Sequence, residues 1–201
     1  MTTLLQLKTS IFSADGHSSR LSDQFVAAWR QNHPDAQVIV RDLAVNPPPH
    51  LDAQIAAAFF AQHDQRTPEQ QVIIDESDRL IAEIRQAQII VIGLPMYNFG
   101  VPSTFKAYLD QITRAGITFR FTESGQQGLL TGKKAYIFAT RGGFYAGTAL
   151  DSESQFIRDF LGFLGITDIE FVYAEGLNID ESAKQAALVQ AEQQLTALAA
   201  A

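Results

Sequence analysis

Three short stretches carry groups suited to holding a flat ligand with an anionic end. The first is Thr9-Ser10-Ile11-Phe12-Ser13-Ala14-Asp15-Gly16-His17-Ser18-Ser19, where hydroxyls and one glycine precede a helical pattern. A helix N-terminus offers unpaired N–H groups and a partial positive charge, which suits a phosphate; Ser18 or Ser19 can equally serve as an ordinary N-cap. The second is Gly93-Leu94-Pro95-Met96-Tyr97-Asn98-Phe99-Gly100-Val101-Pro102, a rigid turn carrying rings and a thioether that a core does not need there. A planar ligand explains them, as does a loop packing under its neighbours. Ser103 or Thr104 can cap the helix that follows. The third is Thr140-Arg141-Gly142-Gly143-Phe144-Tyr145, whose paired glycines let backbone approach a ligand closely or simply form a turn.

Other chemistries lack their residues. With no cysteine there are no disulfides, thiolate metal sites or thiol nucleophiles. His17, His33, His50 and His63 are scattered with no metal-ligand spacing, so no metal is expected. There is no G-x-G-x-x-G, no G-x-x-x-x-G-K-[ST] and no G-x-S-x-G, which disfavours a dinucleotide Rossmann site, a nucleotide triphosphatase and a serine hydrolase. Paired acids of a receiver domain are missing after Leu7.

The elements that must position these stretches are legible as apolar runs. Leu4–Leu7, Val38–Val40, Ile89–Leu94, Ala135–Thr140 and Ile169–Tyr173 have strand character. Ile89–Ile92, β-branched without alternation, reads as a central parallel strand. Helical spacing appears in Leu21, Phe25, Ala28 and Trp29, in Ile73–Ile84 behind a Thr67-Pro68-Glu69-Gln70 start signal, in Phe105–Ile112, in Phe156–Leu164 and in Ala183–Ala200. Five strands alternating with helices predict one α/β domain over 1–201, a doubly wound five-stranded parallel sheet in the order 2-1-3-4-5 with helices on both faces. The connection at about 115–134 is long for a loop and alternates Ile117, Phe119 and Phe121 with polar residues, so a short β excursion is expected.

In such a sheet, ligands sit at the carboxyl ends of the strands beside the switch in strand order, where the three stretches fall. A phosphate end, an aromatic slot and a glycine-lined edge together describe flavin mononucleotide (FMN) better than a sugar phosphate or a metal. The chain is acidic, with net charge −7, which disfavours nucleic acid and anionic membranes as partners. The first residues lack the apolar core of a signal peptide and no apolar run is long enough to span a bilayer, so a cytoplasmic location is expected. Of fourteen phenylalanines, Phe25, Phe105, Phe138, Phe156, Phe160 and Phe171 read as core, and Phe99, Phe119, Phe121, Phe144 and Phe163 as candidates around the ligand. Helical spacing alone would put Phe163 in the core.

Pro95-Met96-Tyr97-Asn98-Phe99 followed by Pro102, Thr140-Arg141-Gly142-Gly143, Ala115–Phe121 and Phe160–Gly165 resemble the FMN-dependent NADH:azoreductases, relatives of the NAD(P)H:quinone reductases. The resemblance covers essentially the whole chain. It implies FMN contacts at Ser10, at Gly16, His17 and Ser18, at Met96, Tyr97, Asn98 and Phe99, and at Thr140, Arg141, Gly142 and Gly143. It implies NADH or NADPH as donor, quinones and aromatic azo compounds as acceptors, and a homodimer in which Phe121 and Phe163 help form the substrate slot. Relatives often carry serine where Gly16 stands, which shifts weight to His17 and Ser18. A flavodoxin-like electron carrier that does not oxidise NADH directly is the alternative.

Overall fold

The computed structural model describes residues 2–200; Met1 and Ala201, the ends of the 1–201 reading, lie outside the described residues. The chain runs β1 (Thr3–Lys8), α1 (His17–Asn32), β2 (Gln37–Asp42), α2 (Ala53–Phe60), α3 (Pro68–Gln86), β3 (Ile89–Pro95), α4 (Ser103–Ile112), β4 (Phe119–Thr122), β5 (Gly125–Gly128), β6 (Lys134–Thr140), α5 (Ser152–Leu164), β7 (Asp168–Ala174) and α6 (Glu181–Ala199). Five parallel strands form one sheet in the order β2-β1-β3-β6-β7. Counting only the strands of that sheet, this is the expected order 2-1-3-4-5.

Hydrophobic strands pair in register, Leu5 beside Ile90 and Ile92 beside Ile137. Successive residues along a strand point to opposite sides, and they join different apolar clusters. Leu5, Leu7, Ile90, Ile92 and Ile137 pack with Leu80, Ile81 and Ile84 of α3, Phe105 and Tyr108 of α4, and Ile157 and Leu161 of α5. Leu4, Val91, Tyr136 and Phe138 pack with Leu21, Phe25 and Trp29 of α1 and with Ala191 and Leu195 of α6. Each fully buried Leu, Ile or Phe contributes about 1.5–3 kcal/mol of transfer free energy before chain entropy is counted. These interdigitated layers fix the strand ends against which the loops fold. Phe25, Phe105 and Phe138 are fully buried, while Phe156, Phe160 and Phe171 pack half-buried at the margin of the core.

Thr67 starts α3 through a capping box, its Oγ1 accepting from Gln70 N at 3.2 Å and Gln70 Oε1 accepting from Thr67 N at 3.1 Å. Two other helix starts differ from expectation. Gly16, rather than Ser18 or Ser19, occupies the N-cap of α1, and Pro102 that of α4, both without a side-chain cap. Ser18, Ser19, Ser103 and Thr104 lie one to three positions inside their helices, where a side chain cannot reach forward to cap. The stretch after α4 forms the antiparallel hairpin β4–β5, with Phe119 opposite Gly128. Among the described residues, no helix is long and apolar enough to cross a membrane.

Candidate active site

The exits of β1, β3 and β6 surround a cleft of about 370 Å³. Ser10, Gly16, His17, Met96, Tyr97, Thr140, Arg141 and Gly142 all border it. Ser18 is buried in the first turn of α1, and Asn98, Phe99 and Gly143 stand outside the cleft wall. Phe12 and Asp15 of the first stretch and Pro95 of the second also border the cleft, as do Leu177 and Asn178, which lie in none of the three stretches. Leu177 and Asn178 follow β7, the strand after the three considered, and the sequence signal for them was simply the next strand exit along the sheet.

At the β1 end, Ser10 Oγ accepts from Phe12 N at 3.2 Å and lies 3.2 Å from the Tyr97 hydroxyl. A Cβ on Gly16 would fall 2.2 Å from Ser10 Oγ, so the Ser10 hydroxyl occupies the space a side chain at position 16 would take. Because α1 begins without a side-chain cap, its first-turn amides are left for a ligand. The hydroxyls of Ser18 and Ser19 are buried there with no hydrogen-bond partner. Buried polar atoms are rarely left unpaired; neither serine borders the cleft, and both lie in the first turn of the helix whose start does. Beside them, burial and the charges of Lys184 and Arg20 hold His17 below the ordinary imidazole range.

At the β3 exit, Tyr97 and Gly100 exchange backbone hydrogen bonds at 2.9 and 3.0 Å, closing a two-residue turn. Its central residues, Asn98 and Phe99, have φ of 51° and 64°. Such conformations in a residue with a side chain cost of order 1–3 kcal/mol and concentrate at ligand sites. Among the backbone hydrogen bonds of the described residues, neither the Asn98 nor the Phe99 amide donates. Phe99 is held from the other side, its carbonyl accepting from the Ser152 hydroxyl and its ring meeting Tyr145 edge-on at 5.7 Å.

At the β6 exit, the carbonyls of Gly142 and Gly143 accept from Asn178 N and Gly176 N, at 3.0 and 2.9 Å, while their own amides make no such bond. Met96 N donates to the Thr140 carbonyl at 3.0 Å, joining the second and third stretches. Arg141 contributes only backbone to the cleft, since its side chain is fully buried among Asp151, Glu153 and Glu175. The arrangement brings an uncapped helix start and two strand exits with unused amides around the cleft. It can hold a planar polar ring and a phosphate, and it offers no nucleophile–base pair.

The expected slot phenylalanines Phe119, Phe121, Phe144 and Phe163 do not border this cleft. Phe144 is 63% exposed and lies over Gly176. Phe119 is buried, 4.6 Å from the half-buried Phe163 and 5.5 Å from Phe121. Phe119 and Phe121 border a separate groove of about 560 Å³ with Phe59 and Phe60. Among the described residues, no group of three or more potential metal ligands is present.

The family model of the flavodoxin-like fold matches residues 2–199. The FMN-dependent NADH:quinone oxidoreductase of Cellvibrio japonicus is 51% identical over 181 residues, covering 90% of this chain and 91% of that protein. The FMN-dependent NADH:quinone oxidoreductase of Alcanivorax borkumensis is 51% identical over 194 residues, covering 96% and 98%. Among solved structures, the FMN-dependent NADH-azoreductase from Bacillus anthracis in complex with FMN superposes with a TM-score of 0.88 at 26% identity, over 99% of this chain and 100% of that one. The chain therefore belongs to the flavodoxin-like family and, within it, to the FMN-dependent NADH:quinone oxidoreductase and azoreductase family.

Proposed function

We propose that the cleft binds FMN and that the protein is an FMN-dependent NAD(P)H oxidoreductase acting on quinones and aromatic azo compounds. The observation that carries this reading is the convergence at one cleft of Ser10, Gly16 and His17 at an uncapped helix start with the exits of β3 and β6, where the Gly142 amide is unused. The activities of the relatives support the choice of cofactor, donor and acceptors. FMN held there would supply the redox chemistry, ping-pong hydride transfer through its N5, and the chain's residues would hold and tune it.

The chain's own part is to bind, orient and tune. The amides of His17, Ser18 and Ser19, with the Ser10 and Ser18 hydroxyls, take the phosphate. Met96 and Tyr97 line one side of the ring, and the unused amides of Asn98 and Phe99, at the rim beside the cleft wall, meet the polar edge of a ring that extends past it. The Gly142 and Gly143 amides stabilise negative charge on that edge, an electrostatic role needing no reorganisation. No side chain is assigned as an obligatory acid or base; the acceptor's proton comes from water or a neighbouring group. The two apolar clusters support a doubly wound sheet with helices on both faces, which is what leaves the strand exits open. A supply of NAD(P)H fits a cytoplasmic setting.

We further propose that two copies associate. Phe60 and Phe121, 86% and 75% exposed around the second groove, would be covered by a partner, and Phe119, Phe121 and Phe163 would then serve the partner's cleft. Phe121→Asp is expected to convert dimer to monomer in sedimentation velocity. Because the ring is exposed, protomer stability should change by no more than about 0.5 kcal/mol. A persistent dimer would contradict the assignment.

His17 adds a pH signature. Burial and the charges of Lys184 and Arg20 lower the His17 pKa in the free protein, and the anionic neighbour gained when FMN binds raises it, so lower pH favours binding. FMN affinity should rise about three- to tenfold from pH 8 to pH 6, and His17→Gln should remove that part of the slope. A slope unchanged by His17→Gln would place the phosphate elsewhere. The reading as a whole is tested by titrating the protein with FMN and following flavin fluorescence. Quenching that saturates at one FMN per chain is expected, and its absence would overturn the proposal.

A further inference from the structure

Arg141 directly follows the last residue of β6, its backbone borders the cleft, and its side chain has no solvent exposure. The guanidinium reaches three elements. Nη2 donates to Asp151 Oδ1 at 2.7 Å and to Ser154 Oγ at 2.8 Å, at the start of α5, where Asp151 is also the N-cap. Nε lies 3.4 Å from Glu153 Oε2, and the Tyr173 ring of β7 stacks 5.0 Å from the guanidinium carbon. Nη1 donates to Glu175 Oε1 at 3.1 Å.

That last oxygen does a second job. Glu175 Oε1 also accepts from the amides of Tyr145 and Ala146, each at 2.8 Å. One carboxylate oxygen therefore joins the buried guanidinium to the turn carrying Gly142 and Gly143. Without Glu175 the two amides lose their acceptor. Without Arg141, Glu175 becomes a partly buried carboxylate with no cation, and its hold on the turn weakens.

We propose that Arg141 is a positioning residue. Through Glu175 it fixes the Gly142–Ala146 turn in the conformation that forms one wall of the cofactor site, and its guanidinium does not itself touch the cofactor. The identity of the ligand rests on the FMN reading above. The coupling of Arg141 to the turn does not.

The test compares Glu175→Ala, Glu175→Gln, Arg141→Met and the Arg141→Met/Glu175→Ala pair in the full chain. FMN affinity is read by flavin fluorescence, and amide hydrogen exchange at Tyr145 and Ala146 is read in FMN-free protein below every variant's unfolding midpoint. Glu175 does not border the cleft, so a purely local contact would leave it silent. Glu175→Ala is expected to weaken FMN about tenfold and to speed exchange of both amides about tenfold. Glu175→Gln, which keeps an acceptor oxygen, should recover most of both. Arg141→Met should weaken FMN similarly, and the pair should be no more than about threefold worse than the weaker single variant, as for residues acting through one contact. Weakening by Arg141→Met with Glu175→Ala within about twofold of the original protein would show direct guanidinium contact and overturn the proposal. Unchanged exchange in both single variants would overturn it equally. If the unaltered protein binds no FMN, the cofactor reading falls, and the amide exchange still decides whether the Arg141–Glu175 link positions the turn.

Discussion

Gly93→Ala should strip the protein of FMN while leaving its sheet folded. Gly93 lies in β3 beneath the first turn of α1, and a Cβ there would meet the Ser18 carbonyl oxygen at 2.7 Å, its carbon at 2.9 Å and Ser19 N at 3.2 Å. These are backbone atoms of a helix start, which cannot swing aside as a side-chain tip can. The helix must lift from the strand, taking with it the first-turn amides and the unpartnered Ser18 and Ser19 hydroxyls. Overpacking of this kind costs about 1–3 kcal/mol. If that cost falls on the bound geometry, the FMN dissociation constant rises about ten- to hundredfold. Equilibrium titration with FMN, beside a thermal melt of the FMN-free variant, checks it. Unchanged affinity in a folded variant would remove the helix start from the cofactor site.

The second large effect concerns stability and pH. Burial pushes the Glu153 carboxyl up to about 8, and the neighbouring Arg141 guanidinium opposes that shift without overcoming it. Its Oε1 is buried without a partner. Between the ordinary carboxyl value near 4.5 and 8, the folded chain keeps a proton that the unfolded chain releases. Stability therefore falls as pH rises through that window, by at most about 1.4 kcal/mol per pH unit for one site. Glu153→Gln mimics the protonated acid and does not titrate. It should match the original protein at pH 4.5 and exceed it by about 1–3 kcal/mol at pH 8 in urea unfolding. A variant less stable than the original at pH 8 would mean that Glu153 works as an ionised partner of Arg141.

Much of the fold was legible because the β-branched run Ile89–Ile92 and its four companions mark the sheet strands, and right-handed crossovers leave few orders. The capping box at Thr67 was legible because both of its partners lie three residues apart. The helix starts at Gly16 and Pro102 were not, since serines nearby carry the stronger local signal and tertiary packing placed them inside the helix instead. The burial of Arg141 was hidden for a different reason. The resemblance implies an FMN contact at Arg141, and the carboxyl groups that claim its side chain lie 10, 12 and 34 residues away, beyond the reach of any local pattern. The short helix α2, Ala53–Phe60, escaped notice because it offers only two turns of pattern. Phe119 and Phe121 share one face of β4, as the alternation with polar residues implied, but only Phe119 is buried, against Phe163, while Phe121 is left exposed at the end of that face, a difference set by tertiary packing and not by period.

The central claim, direct oxidation of NADH at a cofactor held by this cleft, is tested most directly by anaerobic stopped-flow mixing of FMN-loaded protein with NADH. The visible flavin absorbance should bleach in one phase whose rate rises with NADH concentration, and a quinone added afterwards should restore it. A flavin that stays oxidised under NADH, yet is reduced by dithionite, would contradict the account and leave an electron carrier in its place.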